Sequence, residues 1–430
     1  MLKKTTLSAG ALALLMGMGS AQAGWDWGGD LRVRVTDLDS IPTQAGGFQF
    51  DLLFNRTRTR LWAGYQFNED VAFHGRLMNE FRIYERGEDR SRYEDQKFLS
   101  EVVPDLLYMD FNNLADGLLD LRVGRQELIY GTGNIILNGT PLDGSRSLFF
   151  NAVKAGLTVN EGHTLDLLAI YNARQDALTI NRQSGLSLIE HNERAMGVYG
   201  RNSQSEAMPF EYYWIYKEEL GSSLTGKPED GKADADFHTL GVRFMPRNGP
   251  ISANLELAAQ DGSHGDANLK GRLLDASLTL RPAIWGQTRP AFTAGYYYLS
   301  GNEAGTGDNE AWYPVFSRWP QFSELYVYSY VGTQFSIAGW TNLKAPFIGL
   351  DLNPSGNTSL KLRAHRLYAD EKDGSGDGDH RGDLFTAVLG INLSPSLRAH
   401  LWAEYLDTGD YYPSGTSDAH FLRANVEYTF

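Results

Sequence analysis

The 430-residue chain contains no cysteine, so neither a disulfide framework nor a lipid anchor on a processed N-terminal cysteine is available to it. After residue 23 it also lacks any apolar run long enough for a membrane-spanning helix, and its mean hydropathy is −0.36. Base is in short supply. There are 39 Lys and Arg against 53 Asp and Glu, a net charge of −14, which argues against nucleic acid as a partner. The nine His form no HExxH motif and no metal-ligand spacing, so no cofactor or metal is expected. His74 and Glu80 share one strand, but no nucleophile can be tied to them, and the chain does not read as an enzyme.

What is present is turn-forming and aromatic: 46 Gly, 22 Tyr and 9 Trp. The last eleven residues, His420 to Phe430, alternate Leu422, Ala424, Val426, Tyr428 and Phe430 with Phe421, Arg423, Asn425, Glu427 and Thr429. A strand with one lipid-facing and one water-facing side that closes a barrel accounts for that pattern. Met1 to Ala23 carries Lys3 and Lys4, an apolar stretch from Ala11 to Met18, and Ala21-Gln22-Ala23, the layout of a secretory signal peptide. The expected organisation is therefore a signal over 1–23 and a single barrel over 24–430, placed in the outer membrane of a bacterial cell.

Alternating segments of about ten residues recur between short turns and long polar loops. Leu31, Val33 and Val35 alternate with Arg32 and Arg34; Thr59, Leu61 and Ala63 follow the face carrying Arg56, Arg58 and Arg60. Similar segments along the chain predict an all-β fold, a transmembrane barrel of about eighteen antiparallel strands. Short connections such as Ser394-Pro395-Ser396 belong to the periplasmic side, and long ones, near 38–48, 85–102, 129–147, 175–193, 300–338 and 369–382 among others, to the outside. The acidic stretch Asp370 to Asp383 lacks the spacing of a calcium loop and reads as solvated.

The inward positions are rich in arginine despite the acidic total. Arg34, Arg56, Arg58, Arg60, Arg76, Arg174, Arg363 and Arg398 are assigned to the lumen by alternation. Arginine forks suit passage of carboxylates, because each can take one bidentately and release it to the next. The competing structural role for these residues is pairing with lumen acids such as Glu80, Asp166 and Glu427. The aromatics between 300 and 338, including Trp312, Phe316 and Tyr326, either pack a long loop or the outer girdle, or offer ring faces to sugars.

Arg56-Thr-Arg-Thr-Arg-Leu61, Leu121-Arg-Val-Gly-Arg-Gln-Glu-Leu-Ile-Tyr-Gly131 leading to Asp143-Gly-Ser-Arg146, and more weakly Pro320 to Tyr330, resemble the alginate-export outer-membrane family. The resemblance implies an eighteen-stranded monomeric barrel with an electropositive constriction that passes an anionic polysaccharide of uronic acids. It matches Arg58, Arg60, Arg125 and Arg146 to the motif arginines, and Arg363 fits the same picture. Alternation leaves the facing of Arg125 open, and a bulge near Gly124 would settle it. The expected partners are outer-membrane lipid and lipopolysaccharide, an anionic saccharide or carboxylate solute, and a periplasmic partner. A specific porin for small carboxylates or amino acids is the alternative, and a non-transporting barrel is the third reading. The family's exporters carry a long last periplasmic turn that helps plug the pore. Here Ser394-Pro395-Ser396 is too short to cross a wide bore at about 3.5 Å per residue, so constriction is expected from outer loops, 129–147 first and 85–102 second.

Overall fold

The computed structural model describes residues 24–43, 48–87, 95–138, 149–180, 189, 191–220, 234–283, 286–334 and 340–430. Residues 1–23 and Arg146 lie outside them. The strands are β1 (Trp25–Pro42), β2 (Gln49–Gln66), β3 (Val71–Gly87), β4 (Val102–Asn113), β5 (Leu119–Gln126), β6 (Phe150–Asn160), β7 (His163–Asn172), β8 (Asn192–Asn202), β9 (Phe210–Leu220), β10 (Ala235–Phe244), β11 (Arg247–Asn248), β12 (Ile251–His264), β13 (Ala267–Leu269), β14 (Arg272–Leu280), β15 (Ala291–Leu299), β16 (Leu343–Ser355), β17 (Thr358–Tyr368), β18 (His380–Ser394), β19 (Leu397–Thr408) and β20 (Ala419–Thr429). β11 and β13 are short ribbons paired with the two ends of β12. The other eighteen form one closed antiparallel barrel, as expected from the alternation.

The seam joins β1 to β20 in continuous register from Asp30↔Thr429 to Asp39↔His420. Closure satisfies every edge, which a sheet in lipid must do. Gly29 exchanges two 3.0 Å backbone hydrogen bonds with Phe430. A Cβ at Gly29 would lie 2.5 Å from the Phe430 ring, so only glycine admits the terminal aromatic here. The predicted faces hold. Leu422, Val426 and Tyr428 are exposed on the outside of the wall, and Phe421, Arg423 and Asn425 are buried inside.

Outward aromatics gather near the two rims, with Trp25, Trp27, Phe67 and Phe430 at the inner end and Tyr171 and Tyr405 at the outer. Among the described residues no helix is long and apolar enough to cross a membrane; this chain crosses with strands. The Ser394-Pro395-Ser396 turn simply joins β18 to β19, and Ser396 accepts from the Thr429 backbone N–H.

Candidate pore constriction

Register decides which inward side chains stand at one height. Across β3, β2, β1, β20 and β19 one layer reads Glu80, Arg58, Arg32, Glu427, Arg398; the next layer outward reads Arg82, Arg56, Arg34, Asn425, His400. Arg32 thus directly opposes Arg58, and Arg56 opposes both Arg34 and Arg82. Like charges directly opposite one another are destabilising, and the layers survive because each acid is shared. Glu80 lies 2.7 Å from Arg56, 3.5 Å from Arg32 and 3.7 Å from Arg82. Asp30 serves Arg58 at 3.1 Å and Arg60 at 2.6 Å; Glu427 serves Arg58 at 3.3 Å and Arg398 at 3.1 Å. Arg34 donates to Asn425 at 3.1 Å. Two or three guanidinium groups per carboxylate leave this wall net positive, and a low-dielectric wall directs that field into the bore.

Toward the inner mouth, Arg60, Trp62, His74, Arg76, Tyr108 and Arg398 line a cavity of about 310 Å³ together with Asp26, Asp30 and Glu427. Arg76 is held there bidentately by Asp105, at 2.8 and 2.9 Å.

The structure therefore brings Arg34, Arg56, Arg58, Arg60 and Arg398 into one cluster, with Arg76 beside it. Arg363 stands apart on β17, paired to Asp351 at 2.7 Å. Arg174 is half-buried in the connection after β7 and does not join the cluster. Arg125 also falls outside it. The register runs unbroken through Gly124, so there is no bulge; Gly124 instead takes φ 129°. Arg125 pairs between Leu107 and Asn151, on the face that exposes Leu107, Val123 and Val153, which is the outer face of the wall. There the 173–180 segment covers it, with Asp176 at 2.6 Å and the Phe149 ring at 3.8 Å. Burial alone would raise the Asp176 carboxyl, but the hydrogen bonds from Arg125, the Leu178 backbone N–H and Thr179, with the charge of Arg125, together outweigh it and hold the group below its ordinary value.

Among the described residues two outer loops enter the bore. Residues 127–138 do so as expected: Tyr130 donates to Asp166 at 2.8 Å, and the Asn134 amide bridges Glu256 and Asp275, each at 2.9 Å. The described part of the 85–102 loop instead pairs back on β3, where Gln96 N–H donates to Arg82 O. The other constriction is formed by residues 300–334 and 340–342, which sequence reasoning did not place in the bore. Its first half docks on β8, β9 and β12. Lys217 donates to Val315 O at 2.5 Å, Tyr313 to Glu219 at 2.6 Å, and Arg318 pairs with Glu193. Its second half, the helix Glu324–Gln334, lies against β1 and β20, with Ser329 donating to Pro42 O at 2.6 Å. Trp312, Phe316 and Tyr326 are buried, so they pack the loop rather than present ring faces to solute.

Opposite the arginine layers, Tyr199 and Tyr213 stack at 5.6 Å. Tyr213 reaches Glu256 at 2.9 Å by lying across Gly241, where a Cβ would meet its ring at 2.3 Å. Lys217, Glu193, Glu219, Arg201 and Arg243 were not singled out from sequence. Alternation along β8, β9 and β10 marks all five as inward; no local pattern marks Arg318.

The model of the alginate-export family matches residues 26–376. No curated protein matches the chain in sequence. Similar solved structures include OccK11 (OpdR) of Pseudomonas aeruginosa, at 13% identity and TM-score 0.57 over 95% of this chain and 97% of that one. OccK7 (OpdD) of the same organism aligns at 15% identity and TM-score 0.57 over 95% and 99%. OccAB4 of Acinetobacter baumannii aligns at 10% identity and TM-score 0.58 over 95% and 98%. At these identities the likeness is one of fold, an outer-membrane porin barrel.

Proposed function

The chain belongs to the alginate-export family and is an outer-membrane channel, and on that premise we propose that it passes anionic poly- or oligosaccharide of the uronate type through an anion-selective pore. The observation that carries this reading is the double arginine layer of β1, β2 and β3 immediately beneath the in-folded loops. Arg32, Arg56 and Arg82 there share Glu80, and Arg58 and Arg60 share Asp30, so an arriving sugar acid exchanges partners at little desolvation cost. Residues 1–23 serve as the export signal and 24–430 as the barrel, acting as a monomer.

A second reading is a porin for small carboxylates or amino acids. It is favoured by the two loops that narrow the bore and by an inner-mouth cavity of only about 310 Å³, near the lower end for small-molecule sites. Planar-bilayer recording separates the two. Under a salt gradient the purified protein gives an anion-selective reversal potential, and uronate oligomers block the current more strongly as they lengthen. Block by monomers and small carboxylates without dependence on length selects the second reading; cation selectivity overturns both.

A further inference from the structure

Most inward arginines of this wall take their acid from a strand, whereas Arg423, like Arg76 with Glu127, meets an acid from an in-folded loop. It stands on β20 opposite Thr36, one layer outward of Arg34. Its guanidinium lies 4.8 Å from the Phe421 ring centre and 5.7 Å from that of Trp402. The carboxylate that meets it, at 2.7 Å, belongs to Glu324 on the in-folded loop. Glu324 is delivered there by a separate anchor. The Ser323 hydroxyl and the backbone N–H groups of Glu324 and Leu325 all donate to Glu404 on β19, at 2.5, 2.9 and 3.1 Å. A loop from the outer side thus places one carboxylate on the outermost guanidinium of the arginine layers, between aromatic rings.

We propose that Arg423, with Trp402 and Phe421, is a binding site for the carboxylate of an acidic sugar, and that Glu324 is an internal stand-in for that carboxylate. The proposal rests on the acidic-saccharide reading above. A guanidinium beside aromatic rings offers a sugar acid a charge-assisted pair and an apolar ring face together. Exchange of Glu324 for a solute carboxylate keeps a carboxylate on Arg423 throughout, whereas a neutral solute would have to leave a buried charge without its counter-charge. Release of the loop is therefore coupled to the charge of the solute, and the loop competes with solute for one guanidinium.

The test is Glu324→Gln in planar bilayers, with folding checked by heat-modifiable migration. Removing a competitor that holds the site about nine-tenths of the time lowers the uronate-oligomer concentration for half-block by about tenfold. An unchanged half-block concentration overturns the proposal. Because the chain has no cysteine, Leu325→Cys supplies an independent measurement in a channel that keeps Glu324. Leu325 is fully buried, so its thiol reacts slowly with a maleimide, and uronate oligomers accelerate the reaction while a neutral oligosaccharide does not. No acceleration by any carboxylate overturns the proposal even if Glu324→Gln fails to fold. A channel in which uronates have no effect but glutamate or malonate speeds labelling retains the exchange and sinks the saccharide reading.

Discussion

On β19, β20, β1, β2 and β3 the inward side chains include nine arginines (32, 34, 56, 58, 60, 76, 82, 398 and 423) and five carboxylates (Asp26, Asp30, Glu80, Glu404 and Glu427). Across the bore, β7, β8, β9, β10, β12 and β14 turn inward six carboxylates (Asp166, Glu193, Glu211, Glu219, Glu256 and Asp275) and three bases (Arg201, Lys217 and Arg243). The first wall satisfies its charges mainly within itself, arginine against shared acid. The second satisfies many of its acids with hydroxyl and amide groups brought in by loops: Tyr130, Thr132 and Asn134 from one, Tyr313 from the other. One wall holds a fixed positive field in place. The other is the anchorage that keeps the constricting loops inside. A net charge of −14 describes neither.

The strongest way to break this contrast is to reverse the sign of the first wall. Arg58→Glu together with Arg60→Glu, in a channel that still shows heat-modifiable folding, moves the bilayer reversal potential from anion-selective to non-selective or cation-selective. An unchanged potential would show that the wall does not set selectivity. Next in size is Glu80→Gln, which removes the carboxylate shared by Arg32, Arg56 and Arg82. Loss of one partner from a buried charge cluster costs about 3–5 kcal/mol, read as a lower urea midpoint for unfolding in detergent or bilayer.

The corresponding change on the second wall sharpens the comparison because it is expected to be milder. Glu256→Gln keeps one oxygen, which still accepts from Thr132 and Asn134, while its amide N–H can donate to the Tyr213 hydroxyl in place of the bond Tyr213 now makes, and it costs about 1–2 kcal/mol. Its clearer signature is noisier single-channel current, as residues 127–138 lose part of their tether. Equal destabilisation by Glu80→Gln and Glu256→Gln would remove the distinction between the walls. The smallest effect concerns pH. The folded-state value of Asp176 is depressed, so its pairing with Arg125 contributes fully above the ordinary carboxyl value of 3.8 and is lost only as pH falls through the lower, folded value. Proteolysis of the 173–180 segment should therefore stay slow across the neutral range and rise only in strong acid, while Asp176→Asn gives the fast rate at every pH.

Much of this was legible without coordinates. Period-2 alternation placed Arg34, Arg56, Arg58 and Arg60 on one face, and the structure keeps them there. Arg125 was not decidable in the same way. Its facing depends on whether register slips at Gly124, and a glycine permits either a bulge or the continuous strand with φ 129° that is found. The 300–342 connection was legible as long and aromatic, but nothing local distinguishes a loop that packs outside from one that folds in.

The sequence by itself determined the barrel, its strand count, its inward and outward faces and the excess of lumen arginine, because a strand in lipid must alternate at every residue and that demand is written locally. Only the tertiary structure decided which arginines share which acids and which loop fills the bore. Those choices depend on contacts such as Arg423 with Glu324, 99 residues apart, and on Arg318 with Glu193, 125 apart. A pair so distant in the chain leaves no periodic trace; it exists only once the wall has closed and fixed the height of every inward side chain.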